Sequence, residues 1–477
     1  MTVADRTTIL RRPSRVLAVA VSLAIAASHV VITPAQAQPR RGGGPPVIRD
    51  AEIEQLLREY TAPILKAAGL AQQNVQITII NARPFNAFVM DGRRIFINAG
   101  ALMDAKAPNE IIGVMAHETG HISGGHLTKL RNELANAQTT MLVGMLLGAG
   151  ALVAGSRAGG QTGSGITQAG VGALTAQPEL IRRSLLSYQR SQEEAADRAG
   201  VRLLSATGQS AKGMHTTFKR FAEQTMFISQ SVDPYTQSHP MPRDRLEALD
   251  QLAKSSPHWP KTDPPELQQR HDLMRAKLAG FLEPPDGVAR RYPLSDTSLA
   301  ARYARAISAY RFADLRGALA QIDGLVQSQP NNPYFHELKG QALLENGKPH
   351  EATAPLRRAA ALAPSAPLIR VLLGQALVAA NDAKLADEAI GILHSTLTRD
   401  PDVPEGYRYL AMAYGRKGDH AHADLASAQA AFASGEIKTA RELAGRARNR
   451  FPTGSPGWVK ADDIYSYKPP AAATRPN

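Results

Sequence analysis

Apolar residues first recur at helical spacing just after Asp50, a residue that can cap the start of a helix. The apolar face of this predicted helix comprises Ile53, Leu56, Leu57 and Tyr60. Residues 75–80 are rich in β-branched side chains and predict a strand. Two further apolar runs, 85–89 and 94–98, flank an Asp-Gly pair at 91–92, which is a strong hairpin signal. The pattern therefore predicts a helix followed by a small sheet.

Helical periodicity returns after the predicted hairpin. Pro108 and Asn109 open a helix, and a second long helix covers roughly 179–206 and stops near Gly208. Between the two helices, residues 134–176 are rich in small side chains, and the first 23 of them carry no charge. That uncharged length could cross a bilayer, but polar residues and glycines interrupt it. Three interpretations stay open for this segment: a mobile lid, a buried hairpin or a membrane segment.

From about residue 299 the chain changes to alternating helices rich in alanine and leucine. Three pairs of turn or small residues are each separated by 34 positions: Pro330 and Pro364, Pro333 and Pro367, and Gly340 and Gly374. A 34-residue period with two helices per unit resembles the tetratricopeptide repeat (TPR). Because one helix pair cannot bury its apolar stripe alone, neighbouring pairs must stack into a solenoid, whose concave face typically binds a protein segment.

The N-terminal residues have the three-part pattern of a secretory signal. A positive start, an apolar stretch over 16–27 and a small-x-small site at 35–37 predict that residues 1–37 are cleaved off. The positive charges belong to Arg6, Arg11, Arg12 and Arg15. Residues 38–48 predict a flexible leader. A retained membrane anchor is the alternative, and the cleavage site favours removal.

Composition excludes several classes of function. With no cysteine among its 477 residues, the chain has no disulfide scaffold, no thiolate metal site and no cysteine nucleophile. Aromatic residues make up only 5%, which argues against a protein that stacks nucleic-acid bases. The formal charge of +13 suits an anionic membrane surface or acidic partners, although a solvated surface accounts for it at least as well.

The candidate chemistry is concentrated in His117-Glu118-Thr119-Gly120-His121, a match to HExxH. Four helical residues turn about 400°, so His117 and His121 point the same way and can both reach one zinc ion. Glu118 then lies beside the metal, where it can take a proton from the attacking water. A bare HExxH also arises by chance, so a third ligand decides whether the motif holds a metal.

Two residues are candidates for that third ligand. His126 lies nine residues beyond His117, about 180° away on a continued helix, and is rejected for that reason. Glu193 is favoured, because Glu193 and Asp197 share one face of the second long helix. This spacing suits a carboxylate ligand together with a carboxylate that holds a metal-bound histidine by its far nitrogen. A solvated acidic face is the alternative for both residues.

The HExxH at 117–121 and the Glu-x-x-Ala-Asp at 193–197 resemble the gluzincin peptidases of the HtpX, Oma and CAAX-prenyl-endopeptidase family. The hairpin over 85–98 is similar to the sheet that precedes the metal-binding helix in that family. His239, followed by Arg245, resembles a further motif of the family. A secreted catalytic domain followed by TPR repeats is similar to the BepA-type periplasmic proteases of Gram-negative bacteria.

The resemblance implies one zinc ion as cofactor, held by His117, His121 and Glu193. It also implies that Glu118 is the general base and that Asp197 holds a zinc-bound histidine by its far nitrogen, without contacting the zinc ion itself.

Two further residues enter through the resemblance alone. His239 either steadies the tetrahedral oxyanion or blocks the metal as a fourth ligand. Arg245 pairs with Asp197 or with the oxyanion. An ordinary loop histidine and a solvated arginine are the alternatives.

The predicted fold is an α+β zincin-like catalytic domain over 49–285, mostly helical with a small β-sheet, followed by an all-α TPR solenoid over 286–465. A disordered tail is predicted over 466–477.

The predicted function is that of a zinc endopeptidase of the periplasm that hydrolyses misfolded or stalled outer-membrane proteins. Its polypeptide substrates would pair as a strand with the edge of the hairpin sheet at Asn86, Ala87 and Phe88. The repeats would dock substrate or the outer-membrane assembly machinery, peripheral membrane contact is open, and no nucleic acid is expected. The alternative is a chaperone or assembly adaptor in which proteolysis is secondary.

Overall fold

The computed structural model describes residues 46–90, 92–130, 132–133, 135, 187–227, 239 and 243–469. The predicted signal segment, most of the predicted leader, nearly all of 134–176 and the last eight residues of the predicted tail lie outside these described residues. The described part of the chain is mostly helical and carries a small sheet, as predicted. In that part, no helix combines the length and the apolar character that crossing a bilayer requires.

The first helix, α1 (Ala51–Ala67), begins where the sequence predicts it. The side chain of Asp50 accepts a hydrogen bond of 3.0 Å from the backbone N–H of Ile53, which satisfies one of the free amides of the first turn. The predicted apolar face of α1 is buried in the main core.

A mixed sheet surrounds the predicted hairpin. Its strands are β1 (Val47–Ile48), β2 (Gln76–Ile80), β3 (Ala87–Val89) and β4 (Arg94–Asn98). The hairpin is confirmed, because β3 and β4 pair antiparallel with Phe88 opposite Phe96. β2 pairs with β4 in parallel, and β1, formed by the last two residues of the predicted leader, pairs with β2. The strand order β1-β2-β4-β3 leaves β3 at an edge of the sheet.

Helices carry the rest of the first half of the chain. They are α2 (Ala99–Asp104), α3 (Pro108–Ser123), α4 (187–206), α5 (Lys212–Phe227), α6 (Arg243–Lys254), α7 (Pro265–Leu282) and α8 (Pro285–Arg291). Residues 126–130 form a further short helical segment. The start of α3 at Pro108 is confirmed. The end of α4 just before Gly208, whose φ is 68°, is also confirmed.

Glycines let α3 approach its neighbours at backbone distance. A Cβ at Gly120 would lie 2.8 Å from the carbonyl oxygen of Ala196 on α4. A Cβ at Gly113 would lie 2.6 Å from the Cβ of Met214 on α5. The two helices that carry the predicted metal ligands are therefore held in direct contact, which places their side chains within a few ångströms of one another.

The second half of the described chain is a series of antiparallel helix pairs. They run as α9 (Leu299–Phe312) with α10 (Leu315–Ser328), α11 (Pro333–Glu345) with α12 (Pro349–Leu362), α13 (Pro367–Ala379) with α14 (Ala386–Arg399), α15 (Pro404–Arg416) with α16 (His420–Ala433), and α17 (Ile437–Arg450) with α18 (Pro456–Ser466). The predicted 34-residue period is confirmed, since Pro333 and Pro367 each begin the first helix of a pair. The longer third unit contains a left-handed residue, Asn381, and a short 3-10 turn over Ala383–Leu385.

The main core does not stop at the predicted boundary near residue 285. One cluster of buried apolar side chains extends from Ile53 on α1 to Ala342 on α11. At its centre α7 meets α9 so closely that a Cβ at Gly280 would lie 2.8 Å from the Cβ of Ile307. The first helix pairs therefore share a core with the part of the chain that carries the sheet.

Candidate metal centre

Helix α3 supplies two imidazoles on one side, as its spacing requires. His117 is fully buried, His121 is partly buried, and their ring centroids are 4.7 Å apart. The Nε2 atom of His121 lies 3.1 Å from the Nε2 atom of His117. Both rings therefore direct one nitrogen toward the same point.

Helix α4 brings a carboxylate to that point. Glu193 is buried, with Oε2 at 3.5 Å from Nε2 of His117 and Oε1 at 3.4 Å from Nε2 of His121. The close passage of α3 and α4 at Gly120 makes this reach possible for a glutamate side chain. The structure thus brings together the three residues that the sequence predicts as ligands.

A third histidine completes the cluster. His239 is buried, and its Nδ1 atom lies 3.4 Å from Nε2 of His117 and 3.0 Å from Oε2 of Glu193. One donor atom from each of His117, His121, Glu193 and His239 lies within 4.8 Å of the other three. Four side chains from three separate places in the sequence therefore converge on one small volume.

The donor set and its dimensions fit a metal ion. Zinc binds imidazole nitrogen and carboxylate oxygen at about 2.0–2.2 Å, so a tetrahedral site has donor atoms about 3.4 Å apart. The measured separations of 3.0–3.5 Å match that spacing. Two imidazole nitrogens facing each other at 3.1 Å cannot both keep lone pairs there unless a cation or a proton lies between them.

The outer side of His117 is held by a buried ion pair. Nδ1 of His117 lies 3.0 Å from Oδ1 of Asp197. Arg245 binds the same carboxylate through Nε at 2.6 Å and Nη2 at 2.8 Å, and its Nη1 atom lies 2.9 Å from Oε2 of Glu193. Of the two partners predicted for Arg245, the structure shows Asp197. Arg245 therefore positions the carboxylates around the cluster rather than lining the open side of it.

His126 has a different place from the predicted one. The rejection of His126 assumed a continued helix, but α3 ends at Ser123, Gly125 has φ of 62°, and a new helical segment begins at residue 126. His126 is consequently turned back toward α3, and its Nδ1 atom lies 3.0 Å from Nδ1 of His121. As predicted, His126 is not one of the four cluster residues. It contacts one of them, His121, from outside the cluster. The adjacent glycines were the sequence signal for this turn.

Electrostatics in the cluster favour a positive charge among the carboxylates. Burial opposes a charge on His117, but Asp197 and Glu193 outweigh it and raise the pKa of that imidazole to about 9. Burial also opposes ionisation of Glu193, but the surrounding histidines hold its pKa well below the usual range. For His121, burial and the nearby His117 lower the pKa well below its usual range. The same preference for positive charge would bind a divalent cation.

Glu118 lies next to the cluster, and its contact with the cluster is electrostatic. Its side chain is fully buried, and neither carboxylate oxygen has a hydrogen-bond partner among the described residues. Its Oε1 atom lies 3.7 Å from Nε2 of His239. Burial raises the pKa of the Glu118 carboxyl. A buried carboxylate without hydrogen bonds destabilises a fold, so its presence indicates a chemical role.

A cavity of about 260 Å³ opens beside Glu118 and His121. Most of its lining is apolar and includes Phe88, Val89, Ile122, Leu127, Leu130 and Tyr188. The edge strand β3 contributes the first two of these residues. The predicted substrate strand at residues 86–88 therefore borders the same cavity as the predicted base, although the apolar lining was not predicted.

The fold and the site define a metalloprotease. One buried helix carries two metal-competent histidines and a glutamate without a hydrogen bond to any described residue, and a second helix supplies a carboxylate through direct helix contact. This is the arrangement in which a metal and a carboxylate base act on the same water.

The chain belongs to peptidase family M48. Residues 48–253 match the model of that family, described as "Peptidase family M48". Metalloprotease LoiP of Escherichia coli (strain K12) is 31% identical over 208 residues, which are 42% of this chain and 74% of LoiP. Residues 48–253, matched by the family model, contain β3, α3, α4 and His239, and therefore the whole cluster.

Other relatives extend through the helix pairs. The beta-barrel assembly-enhancing protease of Yersinia pestis is 24% identical over 418 residues, 86% of this chain and 82% of the relative. The protein of the same name from Escherichia coli (strain K12) is 23% identical over 422 residues, with coverage of 87% and 82%. The similarity therefore includes both the metalloprotease part and the repeats.

Proposed function

We propose that this protein is a zinc-dependent endopeptidase of the periplasm that cleaves unfolded or stalled outer-membrane proteins. The observation that carries the proposal is the group of four donor residues, with five donor–donor distances of 3.0–3.5 Å, beside Glu118, which has no hydrogen bond to any described residue. The names of the two longer relatives support the connection with β-barrel assembly.

His117, His121 and Glu193 would hold the zinc ion, and Asp197 would fix the ring of His117 through its far nitrogen. When bound, zinc polarises the scissile carbonyl and lowers the pKa of water to about 7. Glu118 takes the proton of the attacking water and passes it to the leaving amine. Its burial favours this role, because a carboxyl with a raised pKa is a better proton carrier between water and amine.

His239 is the residue with two possible roles. Its Nδ1 atom lies 3.4 Å from Nε2 of His117 and 3.0 Å from Oε2 of Glu193, so the present geometry supports the fourth-ligand role over oxyanion support. A catalytic zinc site keeps one position open, so the ring must withdraw before a substrate carbonyl can enter. His239→Ala distinguishes the roles: faster proteolysis with zinc retained identifies a blocking ligand, and slower proteolysis identifies a catalytic one.

The substrate is an extended polypeptide that adds to β3, which is an edge strand of the sheet in the described part of the chain. The backbone of Ala87–Val89 offers its outer hydrogen-bonding groups to a new strand. Oδ1 of Asn86, buried and without a partner among the described residues, provides one further acceptor. The apolar cavity beyond Phe88 would then take a bulky apolar side chain. Unfolded barrel strands, with alternating apolar residues, meet both requirements.

The repeats would dock the substrate or the assembly machinery on their concave face. The match to the relatives over most of the chain supports this role, because it includes the helix pairs as well as the peptidase part.

The test is metal analysis of the mature chain combined with digestion of casein and of a denatured outer-membrane barrel protein. We expect about one zinc per chain, digestion of both proteins, and loss of digestion when a chelator removes the metal. Absence of zinc, or digestion that persists in the chelator, would contradict the proposal.

A further inference from the structure

We propose that His126 is a positioning residue that orients His121 by accepting a hydrogen bond from the Nδ1–H group of His121. The inference rests on the proposed zinc site and adds an outer partner for its second histidine.

The geometry of the pair is that of a directed hydrogen bond. The two Nδ1 atoms are 3.0 Å apart and the ring planes cross at 85°. Only 8% of the surface of His126 is exposed, so water does not easily replace it. The opposite nitrogen of His121, Nε2, faces His117 and Glu193.

The tautomer of His121 follows from the fact that its Nε2 atom faces the cluster. A neutral imidazole carries one N–H and one lone pair. If Nε2 of His121 offers its lone pair to the metal, its proton must be on Nδ1, and Nδ1 of His126 is the acceptor at hydrogen-bond distance. His126 then carries its own proton on Nε2.

The backbone is shaped to bring His126 to this place. Helix α3 ends at Ser123, Gly125 adopts a left-handed φ of 62°, and a new helical segment starts at His126. A Cβ on Gly124 would lie only 2.2 Å from Nε2 of His126. Two consecutive positions without side chains are therefore needed for the ring to fold back onto His121, and this observation is independent of the nitrogen–nitrogen distance.

The two metal histidines then have unequal outer partners. His117 is held by the charged Asp197, which Arg245 fixes in turn. His121 is held by a neutral imidazole. Removing an outer partner typically lowers metal affinity about 10- to 100-fold, so His126 should affect zinc retention while leaving the fold in place.

The experiment measures zinc affinity of the full mature chain by competition with a chelator, starting from metal-free protein. His126→Leu removes the acceptor, and His126→Asn has nearly the same shape but places an amide oxygen where Nδ1 was. We expect zinc to bind about 10- to 100-fold more weakly to the Leu variant, whereas the Asn variant stays within about threefold of the wild type. The thermal melting of metal-free protein should be similar for all three.

A second variant keeps the test decisive if His126→Leu does not fold. Gly124→Ala leaves His126 intact but displaces its ring, and we expect a comparable loss of zinc affinity. Lys129→Ala, on the exposed surface of the same segment, is the control and should bind zinc as the wild type does.

Unchanged zinc affinity in both His126→Leu and Gly124→Ala would overturn the inference, and so would an Asn variant as weak as the Leu variant. A wild-type chain that binds no zinc would instead overturn the proposed function on which the inference depends. The two failures are therefore distinguishable.

Discussion

At the scale of single residues, the most informative feature is a buried carboxylate that forms no hydrogen bond with any described residue. Glu118 is fully buried, and none of the described residues forms a hydrogen bond with its oxygens. Glu110, on the same helix, is also buried but pairs with Arg220. Glu110 therefore stabilises the fold through its ion pair, whereas the carboxylate oxygens of Glu118 remain available to accept a proton.

The first prediction concerns Glu118. Glu118→Gln keeps the shape of the side chain and alters none of the predicted ligands, so zinc content and melting temperature should not change. Casein digestion should fall by at least about 100-fold, because the amide cannot take the proton of the attacking water. A variant that digests casein at the wild-type rate would remove Glu118 from the mechanism.

The second prediction compares two adjacent glutamates on α4. Glu193 is buried against both cluster histidines, whereas Glu194 is exposed and pairs only with Arg198. Glu193→Ala should lose both zinc and proteolysis, and Glu194→Ala should keep both. Metal analysis after dialysis against a weak chelator measures this, and zinc retained by Glu193→Ala would show that another residue is the third ligand.

At the scale of elements, the repeat period has a packing cause. Gly340 on α11 and Gly374 on α13 lie where the second helix of each pair crosses the first. A Cβ at these positions would lie 2.4 Å from Cγ of Leu356 and 2.5 Å from Cγ of Leu393, respectively. The 34-residue spacing of the glycines therefore repeats the closest approach within each helix pair.

The third prediction uses this contact. Gly340→Ala should lower the free energy of unfolding by about 1–3 kcal/mol, because the added methyl group forces Leu356 to move in a packed core. Gly391→Ala is the control: it lies on the exposed face of α14 with open space around it, and should raise stability by about 0.5–1 kcal/mol. Urea unfolding of both variants measures the difference, and equal effects would contradict the packing explanation.

At the scale of the whole molecule, a buried charge network joins the sheet-bearing part to the repeats. Nζ of Lys277 on α7 lies 2.8 Å from Asp50 and 3.3 Å from Glu52 at the start of α1, and 3.4 Å from Glu337 on α11. The hydroxyl of Tyr303 on α9 donates to Glu52 at 3.0 Å. One ammonium group thus connects the first helix of the described chain to the second helix pair.

The fourth prediction removes that ammonium group. Lys277→Met leaves buried carboxylates without a counter-charge and should lower the free energy of unfolding by about 3–5 kcal/mol. Lys254→Met removes an exposed lysine that pairs with Asp250 and should cost less than about 1 kcal/mol. Urea unfolding at neutral pH compares them, and a mild effect at Lys277 would mean that the network is not closed to water.

The fifth prediction concerns pH. Burial raises the pKa of the Glu337 carboxyl to about 7, above the value of about 4.5 expected in the unfolded chain. The unfolded chain therefore releases this proton at lower pH than the folded chain, and the stability contributed by Glu337 is lost as pH rises from about 4.5 to about 7. Glu337→Gln should reduce that loss. Unfolding measured across this range tests the sign, and a stability that rises through this window because of Glu337 would contradict it.

Much of the local structure could be predicted because it depends on neighbouring residues. The capped start of α1, the hairpin of β3 and β4, the start of α3 at Pro108 and the 34-residue period all follow from turn, cap and periodicity signals within a few residues of one another. The shared face of His117 and His121 follows from helical geometry in the same way.

What only the tertiary structure decided depends on distances between remote segments. The partner of Arg245, the place of His239 in the cluster and the parallel pairing of β2 with β4 are contacts that no local pattern specifies. The end of α3 is the instructive case, since a periodic continuation would turn His126 away, whereas two glycines turn it back onto His121. The sequence by itself determined which residues are candidates for the chemistry and which helix faces present them. Packing of α3 against α4, possible because Gly120 has no side chain, decided that they meet at one point.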